Sequence, residues 1–153
     1  MHYRLYHPDD FARLYSIEEI CFQPPIRFSR PYLRGIIERS SSITWVAEEN
    51  GREVGFSVVN CSDEDIGVMA YIQTIEVTPE YRRHGIGLEL LRRMESSARE
   101  RGASVIWLHV DTTNEAAIGL YKAHGFRHQG RQAHYYARGR AADVYMKSLQ
   151  PAD

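Results

Sequence analysis

Apolar residues recur along this chain at two spacings, one typical of strands and one typical of helices. Alternation at residues 3–6 predicts a short first strand. Two helices follow, one starting at Pro8 and one after Ser29, whose hydroxyl is suited to cap it. The pair Pro24-Pro25 falls in the loop between them, because proline interrupts a helix.

The remaining elements are predicted from the same two spacings. Asn50-Gly51 suits a tight turn with positive φ and predicts a hairpin around it. The bounds are 44–48 and 53–60 for the hairpin, 68–77 for a third strand, 86–101 and 115–124 for two helices, and 105–110, 127–137 and 142–149 for three more strands. Strict alternation in the third strand gives one face with Tyr71, Gln73, Ile75 and Val77 and another with Ile72, Thr74 and Glu76.

These elements predict an α/β fold in which one mixed sheet is covered by helices on both faces. A length of 153 residues suits one domain, and no internal repeat or long linker divides the chain. We therefore expect a single domain at 1–150 and a short C-terminal tail at 151–153.

Charge and cysteine content exclude several classes of function. Nineteen Lys and Arg balance twenty Asp and Glu, so no overall basic field draws the chain to nucleic acid or anionic lipid. Cys21 and Cys61 lack the spacing of a disulfide framework or a zinc site, and no metal is expected. No apolar run approaches the roughly 20 residues that cross a bilayer, and no signal peptide precedes the first strand. A cytoplasmic protein without nucleic-acid or membrane partners is expected.

The most informative segment joins the strand that ends at Val77 to the next helix. It carries Arg82, Arg83, Gly85 and Gly87. Free N–H groups at a helix start bind phosphate, and glycines let a pyrophosphate approach the backbone. The spacing Arg-x-x-Gly-x-Gly differs from both the dinucleotide-binding glycine pattern and the P-loop of nucleoside triphosphatases. The segment indicates a different phosphate-binding turn, with a plain tight turn and solvated arginines as the structural alternative.

A second segment follows about thirty residues further along the chain. Its pattern is Asn114-x-x-Ala117-x-x-Leu120-Tyr121-x-x-x-Gly125-Phe126. Together with the phosphate-binding turn, this pattern resembles the GNAT N-acetyltransferase superfamily, whose element order matches the predicted one over nearly the whole chain. The resemblance implies the GNAT acyl-CoA N-acyltransferase fold, with acetyl-CoA as cofactor and CoA as product.

In that family the turn amides hold the pyrophosphate of acetyl-CoA, and the preceding strand binds pantetheine through its backbone. An Asn and a Tyr of the second segment approach the pantetheine arm and the sulfur. By resemblance, the cofactor-binding residues are Ile75, Val77, Arg82, Arg83, His84, Gly85, Ile86, Gly87, Leu88, Asn114, Ala117 and Tyr121.

Within the superfamily, the sequence is most similar to the N-terminal protein acetyltransferases of the bacterial ribosomal-protein-alanine type and the eukaryotic NatE type. The NatE resemblance rests on the phosphate-binding turn and on Tyr71-Ile72-x-Thr74, Leu108-His109-Val110 and Tyr135-Tyr136. NatE-type enzymes use a Tyr and a His at the positions of Tyr71 and His109, whereas the bacterial enzymes place a Glu where this chain has His109.

Acetyl transfer needs a group that accepts the amine's proton and an acid for the departing thiolate. His109 interrupts an apolar strand, and an ordinary pKa near 6.5 suits a base at neutral pH. We assign catalytic roles to His109, to Tyr71 as its helper and to Tyr121 as the thiolate's acid. Glu76 is the rival base, but alternation puts it on the opposite face unless a bulge resets the parity.

Two regions are expected to wall the acceptor groove. One is the loop between the first two helices, and the other is the tyrosine pair near the penultimate strand. In the N-terminal acetyltransferases these regions grip the first residues of the peptide. By resemblance, the substrate-binding residues are Pro25, Ile26, Phe28, Gln73, Tyr135 and Tyr136. Gln73 is polar where an apolar contact is expected, so no preference for methionine follows.

The sequence therefore predicts an acetyl-CoA-dependent N-acetyltransferase in which the amine attacks directly within a ternary complex. An α-amine costs only about 1 kcal/mol to neutralise at pH 7 and a lysine about 4.6 kcal/mol, which favours a protein or peptide N-terminus. The alternatives are a small-molecule amine, such as a polyamine, amino acid or antibiotic, and a non-catalytic acyl-CoA-binding sensor. A monomer or weak homodimer is expected.

Overall fold

The computed structural model describes residues 1–150, and the predicted tail at 151–153 lies outside these described residues. Its strands are β1 His2–Leu5, β2 Ser42–Glu49, β3 Arg52–Glu64, β4 Gly67–Val77, β5 Val105–Asp111, β6 Arg127–Ala137 and β7 Arg140–Ser148. Within the described residues they form one sheet in the order β1-β2-β3-β4-β5-β7-β6. Strands β4 and β5 are parallel and the other neighbours antiparallel, so the predicted mixed sheet is confirmed.

Four α-helices are found within residues 1–150, where four were predicted. They are α1 Phe11–Cys21, α2 Arg30–Glu38, α3 Ile86–Glu100 and α4 Glu115–Ala123. The predicted cap of α2 is present, since Ser29 accepts a hydrogen bond from the amide of Tyr32. The first helix differs from prediction at its start, where Pro8–Asp10 forms a 3-10 turn before α1. None of the described helices combines the length and apolar character needed to span a membrane.

The helices cover the sheet from both sides. A cluster on one face joins α1 and α2 to β2 and β3 through Phe11, Leu14, Ile17, Leu33, Ile36, Ile37, Val46, Phe56 and Val58. A larger cluster on the other face joins α3 to β3, β4 and β5 through residues that include Val59, Ile72, Leu91, Met94, Ile106 and Leu108. Neighbouring Val58 and Val59 point into different clusters, as the two faces of a strand require.

A β-bulge at Gln73 changes the faces of β4. Val58 of β3 lies opposite Thr74, but the next residue, Val59, lies opposite Ile72. Gln73 is therefore an extra residue in β4, and the alternation after it is shifted by one position.

The predicted alternation of β4 is consequently wrong beyond Gln73. Glu76 lies opposite Phe56, which belongs to the cluster beneath α1 and α2. Ile75 packs instead with Ile72 in the cluster beneath α3. Tyr71 thus shares its face with Thr74 and Glu76, and not with Ile75 and Val77. The parity argument that placed Glu76 on the far face fails for the same reason.

Strands β4 and β5 separate beyond the bulge. Their parallel pairing runs from Met69 opposite Val105 to Ile72 opposite Leu108 and stops there. Both strands continue, β4 to Val77 and β5 to Asp111. The main chain of β4 after Ile72 therefore has no paired strand on its β5 side within the described residues.

Glu76 meets Glu18 of α1 in the interior. The two side chains are 2% and 1% exposed, and Glu18 also accepts a hydrogen bond from the amide of Phe28 at 3.0 Å. As two carboxylates they would each keep a buried Oε1 without a partner. Burial, and then the hydrogen bond with Glu18, raise the pKa of Glu76 well above 4.5. The raised pKa favours the protonated form of Glu76, and the nearly complete burial of its side chain makes it unsuited to act as a base.

The raised pKa of Glu76 makes the stability of the fold dependent on pH. Above the unfolded-state pKa near 4.5, the folded chain retains a proton that the unfolded chain has lost. The free energy of unfolding then falls as pH rises, by up to about 1.4 kcal/mol per pH unit. The neutral variant Glu76→Gln should lack this contribution, so its stability relative to wild type in urea unfolding should rise as the pH is raised above the unfolded-state pKa. Glu19→Gln, an exposed change on α1, is the control, and parallel profiles for Glu76→Gln and wild type would contradict the raised pKa of Glu76.

Candidate active site

A cavity of about 390 Å³ opens where β4 and β5 separate. Beyond the last paired residues, β4 contributes Gln73, Thr74 and Ile75, and β5 contributes His109 and Val110. The other walls come from α1, the loop after it, α2, α4 and β6. The residues from these walls are Glu18, Phe22, Ile26, Phe28, Tyr32, Asn114, Ala117, Tyr121, Tyr135 and Tyr136, with Tyr71, Trp107 and Asp111 completing the lining from β4 and β5.

Tyr71 and His109 are in direct contact at the point of separation. The Tyr71 hydroxyl lies 2.8 Å from Nδ1 of His109. Trp107 packs edge-on against Tyr71 at 4.6 Å between ring centroids. Tyr135 stacks on His109 at 4.1 Å with an angle of 10° between the rings. The structure therefore brings these predicted site residues, Tyr71, His109 and Tyr135, into one aromatic group.

Gln132 of β6 completes the contacts of His109. Its Oε1 lies 3.0 Å from Nε2 of the imidazole. This contact could not be predicted from the sequence, because Gln132 and His109 are 23 residues apart and β7 lies between their strands. Only the strand order β5-β7-β6 brings these two residues together.

Burial controls the protonation of the catalytic candidates. It lowers the pKa of His109, although the hydrogen bond from His109 to Gln132 acts in the opposite direction. It raises the pKa of Tyr71 and of Tyr121 well above the ordinary tyrosine value. At neutral pH the site thus holds a neutral imidazole able to accept a proton and two phenols that keep theirs.

Helix α4 brings Asn114 and Tyr121 to the cavity. Asn114 is the N-cap of α4, and its Oδ1 accepts a hydrogen bond from the amide of Ala117 at 3.2 Å. Its side-chain oxygen is therefore engaged, while its amide nitrogen remains available as a donor. Tyr121 is 5% exposed, packs against Phe126 and lines the cavity.

The predicted phosphate-binding turn presents a row of free amides. The amide of Arg82 donates a hydrogen bond to the carbonyl of Pro79, and the next main-chain amide with a partner is that of Glu89, which donates to the carbonyl of Gly85. Within residues 1–150, no carbonyl or side chain accepts from the six amides at 83–88. Positive φ angles at Arg83 (65°) and Gly85 (80°) curl the turn before α3 begins. Six unpaired N–H groups at a helix start are suited to bind an anion.

The side chain of Arg82 turns away from these amides. Its Nε donates to the carbonyl of Val77 at 3.0 Å, and its Nη2 lies 3.5 Å from Sγ of Cys21. Arg82 thus ties the turn to the end of β4, and the Val77 carbonyl is already engaged. Arg83 and His84 are exposed on the turn.

Gly87 has no structural requirement to be glycine. It lies inside α3, where a Cβ would meet only Leu120 at 3.7 Å, an ordinary contact. Glycine within a helix costs about 0.5–1 kcal/mol relative to alanine. The position therefore leaves open surface beside the free amides at the expense of helix stability.

The loop between α1 and α2 is clamped at both ends. Arg27 donates to the carbonyls of Phe22 and Glu19, and Tyr15 donates to the carbonyl of Phe28. The predicted residues Ile26 and Phe28 face the cavity, but Pro25 is exposed and contributes nothing to its lining. Three lining aromatic residues were missed by the sequence analysis, namely Phe22, Tyr32 and Trp107.

A long bulge in β6 places both predicted tyrosines at the site. Gln132 pairs with Ala142 and Ala137 with Arg140, so four residues of β6 oppose a single residue of β7. His134, within the bulge, has a φ of 56° and accepts a hydrogen bond from the amide of Gly139. Tyr135 and Tyr136 consequently both line the cavity, although they are neighbours in a strand.

Comparison with known proteins finds acetyltransferases among the relatives of this chain. The chain is 35% identical over 107 residues to N-alpha-acetyltransferase RimI of Mycobacterium tuberculosis, a match that covers 70% of this chain and 65% of that protein. It is 38% identical over 100 residues to streptothricin acetyltransferase of Streptomyces lavendulae, covering 65% of this chain and 52% of that protein. The chain thus spans about half to two thirds of the length of these relatives.

The fold is shared with a solved enzyme. The crystal structure of the ribosomal-protein-S18-alanine N-acetyltransferase from Escherichia coli matches with a TM-score of 0.85 and 23% identity, covering 99% of this chain and 96% of that chain. The model of the acetyltransferase (GNAT) family matches residues 11–126. The resemblance stated from the sequence is confirmed, and the chain belongs to the acetyltransferase (GNAT) family.

Proposed function

We propose that this protein transfers the acetyl group of acetyl-CoA to the N-terminal α-amine of a protein or peptide. The observation that carries this proposal is the contact between Tyr71 and His109 in the cavity where β4 and β5 separate, together with the free amides at 83–88 that follow β4 in the chain. Tyr71 and the unpaired edge of β4 lie on the strand that precedes this turn, and His109 lies on the neighbouring strand β5. The likeness to an N-alpha-acetyltransferase and to an alanine N-acetyltransferase supports a protein N-terminus as acceptor.

The cofactor fits the gap between β4 and β5. Its pyrophosphate would take hydrogen bonds from the amides at 83–88, beside the open surface of Gly87. Its pantetheine arm would pair with the unpaired edge of β4 near Ile75 and receive the free amide nitrogen of Asn114. When bound, the cofactor supplies a thioester carbonyl for attack by the amine.

The side chains around the cavity then account for the proton transfers. The acceptor nitrogen forms a bond to the thioester carbon, and one of its protons passes to the pair of Tyr71 and His109. As the bond from carbon to sulfur breaks, the departing thiolate takes a proton from Tyr121, whose raised pKa keeps the phenol protonated until then. His109 returns its proton to solvent and Tyr121 regains one, so a neutral amine is acetylated with no net release of protons.

The acceptor's first side chain would lie between the α1–α2 loop and α2. Phe22, Ile26, Phe28 and Tyr32 make this wall largely apolar, and Gln73 adds an amide. Tyr135 and Tyr136 would flank the peptide main chain. A small or medium uncharged first residue suits this lining.

A small-molecule amine is the second candidate acceptor. The 38% identity to streptothricin acetyltransferase favours it, because that relative is named for an antibiotic. The cavity volume of about 390 Å³ also admits a compact amine.

The acceptor is tested by measuring CoA release with a peptide panel. Peptides that vary in the first two residues should be acetylated at the α-amine, as located by mass spectrometry, and the same peptides with a blocked N-terminus should be inert. Free lysine, polyamines and streptothricin form the competing set. Turnover confined to that second set would contradict the protein N-terminus as acceptor.

The anion-binding turn is tested with Gly87→Ala. The added Cβ is tolerated by the fold but occupies the surface proposed for the pyrophosphate, so the Kd for acetyl-CoA in calorimetry should rise about tenfold, or 1.4 kcal/mol. Gly119→Ala is the matched control, because Gly119 is also helical and has open space around it. Equal affinity in both variants would remove the turn from the cofactor site.

The proton acceptor is tested with His109→Ala and a pH profile. The variant should lose about 10²-fold in kcat while the Kd for acetyl-CoA stays unchanged. In wild type, kcat measured with saturating peptide should fall on the acid side with a midpoint below the ordinary histidine value of 6.5, because burial lowers the pKa of His109. An unchanged kcat in His109→Ala would exclude this residue as the acceptor of the proton.

A further inference from the structure

We propose that Gln132 is a positioning residue, which holds His109 in its Nε2–H tautomer and so directs the amine's proton through the Tyr71 hydroxyl to Nδ1. This inference rests on the proposed function for its catalytic consequence. The tautomer itself is a property of the folded chain and is measurable without substrate.

The hydrogen bonds around His109 select one tautomer. A glutamine oxygen accepts hydrogen bonds and never donates them, so Oε1 at 3.0 Å requires a hydrogen on Nε2. Nδ1 then carries a lone pair, and the Tyr71 hydroxyl at 2.8 Å donates to it. Both contacts of the ring are satisfied at once only in this arrangement.

The sheet makes the contact between Gln132 and His109 possible across an intervening strand. Gln132 lies opposite Ala142 of β7, which lies opposite Asp111 of β5, two residues beyond His109. All of these side chains share one face of the sheet. Two strand spacings amount to about 10 Å, a gap that the long glutamine and histidine side chains bridge together over the small Ala142.

The imidazole ring is prevented from turning. Tyr135 lies nearly parallel to it at 4.1 Å, and Trp107 also packs against it with ring centroids 5.3 Å apart. With the ring plane fixed, the bond to Gln132 decides which nitrogen is free to accept a proton.

The direction of the proton follows from this tautomer. With its hydrogen directed at Nδ1, the Tyr71 oxygen keeps its lone pairs for the amine or for a water beside it. The amine gives one proton to the Tyr71 oxygen as Tyr71 gives its own to Nδ1, so the phenol ends unchanged and His109 becomes an imidazolium. In the other tautomer Nδ1–H would donate to Tyr71, and the basic nitrogen would face Gln132, away from the acceptor.

The other titratable groups near the imidazole ring do not form the contact with Nε2 that Gln132 forms. They are Tyr71 from β4, Tyr135 and Tyr136 from β6, Asp111 further along β5, and Glu18 and Tyr32 across the cavity. Asp111 is engaged in an ion pair with Arg140. Within residues 1–150, no carboxylate contacts either nitrogen of His109.

The first test is the ¹⁵N spectrum of the imidazole nitrogens of His109 in the free protein. Wild type should show a protonated Nε2 and a bare Nδ1 above the pKa of the ring. Gln132→Leu, which keeps the side-chain bulk but removes the acceptor, should give a mixture of the two tautomers. Gln129→Leu is the control, because Gln129 is exposed on the same strand and bonds only to main-chain carbonyls. A wild-type tautomer that survives unchanged in Gln132→Leu would overturn the inference.

The second test is kinetic and uses the acceptor found with the peptide panel. Gln132→Leu should lower kcat about tenfold with little change in the KM for acetyl-CoA, as expected when part of a general-base contribution is lost. Gln132→Glu keeps an acceptor oxygen and adds a negative charge, so it should preserve the tautomer and move the acid side of the pH profile to higher pH. A Gln132→Glu profile that coincides with that of Gln132→Leu would contradict the positioning role.

The two tests separate this inference from the proposed function. Absence of acetyl transfer with every amine would overturn the proposed function and leave the spectrum of His109 as predicted. Active wild type with an unaltered spectrum and kcat in Gln132→Leu would overturn the inference alone.

Discussion

The separation of two parallel strands organises this molecule. One extra residue, Gln73, ends the pairing of β4 with β5 just after Ile72 and Leu108. The catalytic candidates and the unpaired strand edge are arranged around the resulting gap. Tyr71 and His109 meet where it starts, the unpaired edge of β4 forms one side, and the free amides at 83–88 lie where β4 leads into α3. An unpaired strand edge usually favours aggregation. Here the edge of β4 offers main-chain groups with which an extended ligand can pair.

The site is built from neutral groups in a partly buried setting. Burial disfavours the charged form of a side chain, and it acts here on the imidazole of His109 and on the phenols of Tyr71 and Tyr121. A neutral base beside a neutral acid avoids the cost of an isolated buried charge. Glu76 follows the same principle, since burial and the neighbouring Glu18 raise its pKa and so favour its neutral form.

The sequence carried enough information for much of this arrangement, and its failures have physical causes. Glycine spacing and the strand-to-helix order located the free amides, and a histidine in an apolar strand located His109. The bulge was invisible because one inserted residue leaves the hydrophobic pattern of β4 nearly intact while it shifts every later side chain to the other face. The contact of Gln132 with His109 could not be predicted, because it crosses the intervening strand β7. Pro25 was misplaced because the path of the loop is set by Arg27 and Tyr15.

The central claim is that the amides at 83–88 receive the pyrophosphate of acetyl-CoA. Amide ¹H–¹⁵N spectra of the labelled protein, recorded during a titration with acetyl-CoA, test it most directly. The claim predicts that the largest shifts occur at residues 83–88 and saturate together with a single affinity. Saturable binding with these six amides unmoved, or a titration that moves no resonance at all, would contradict it.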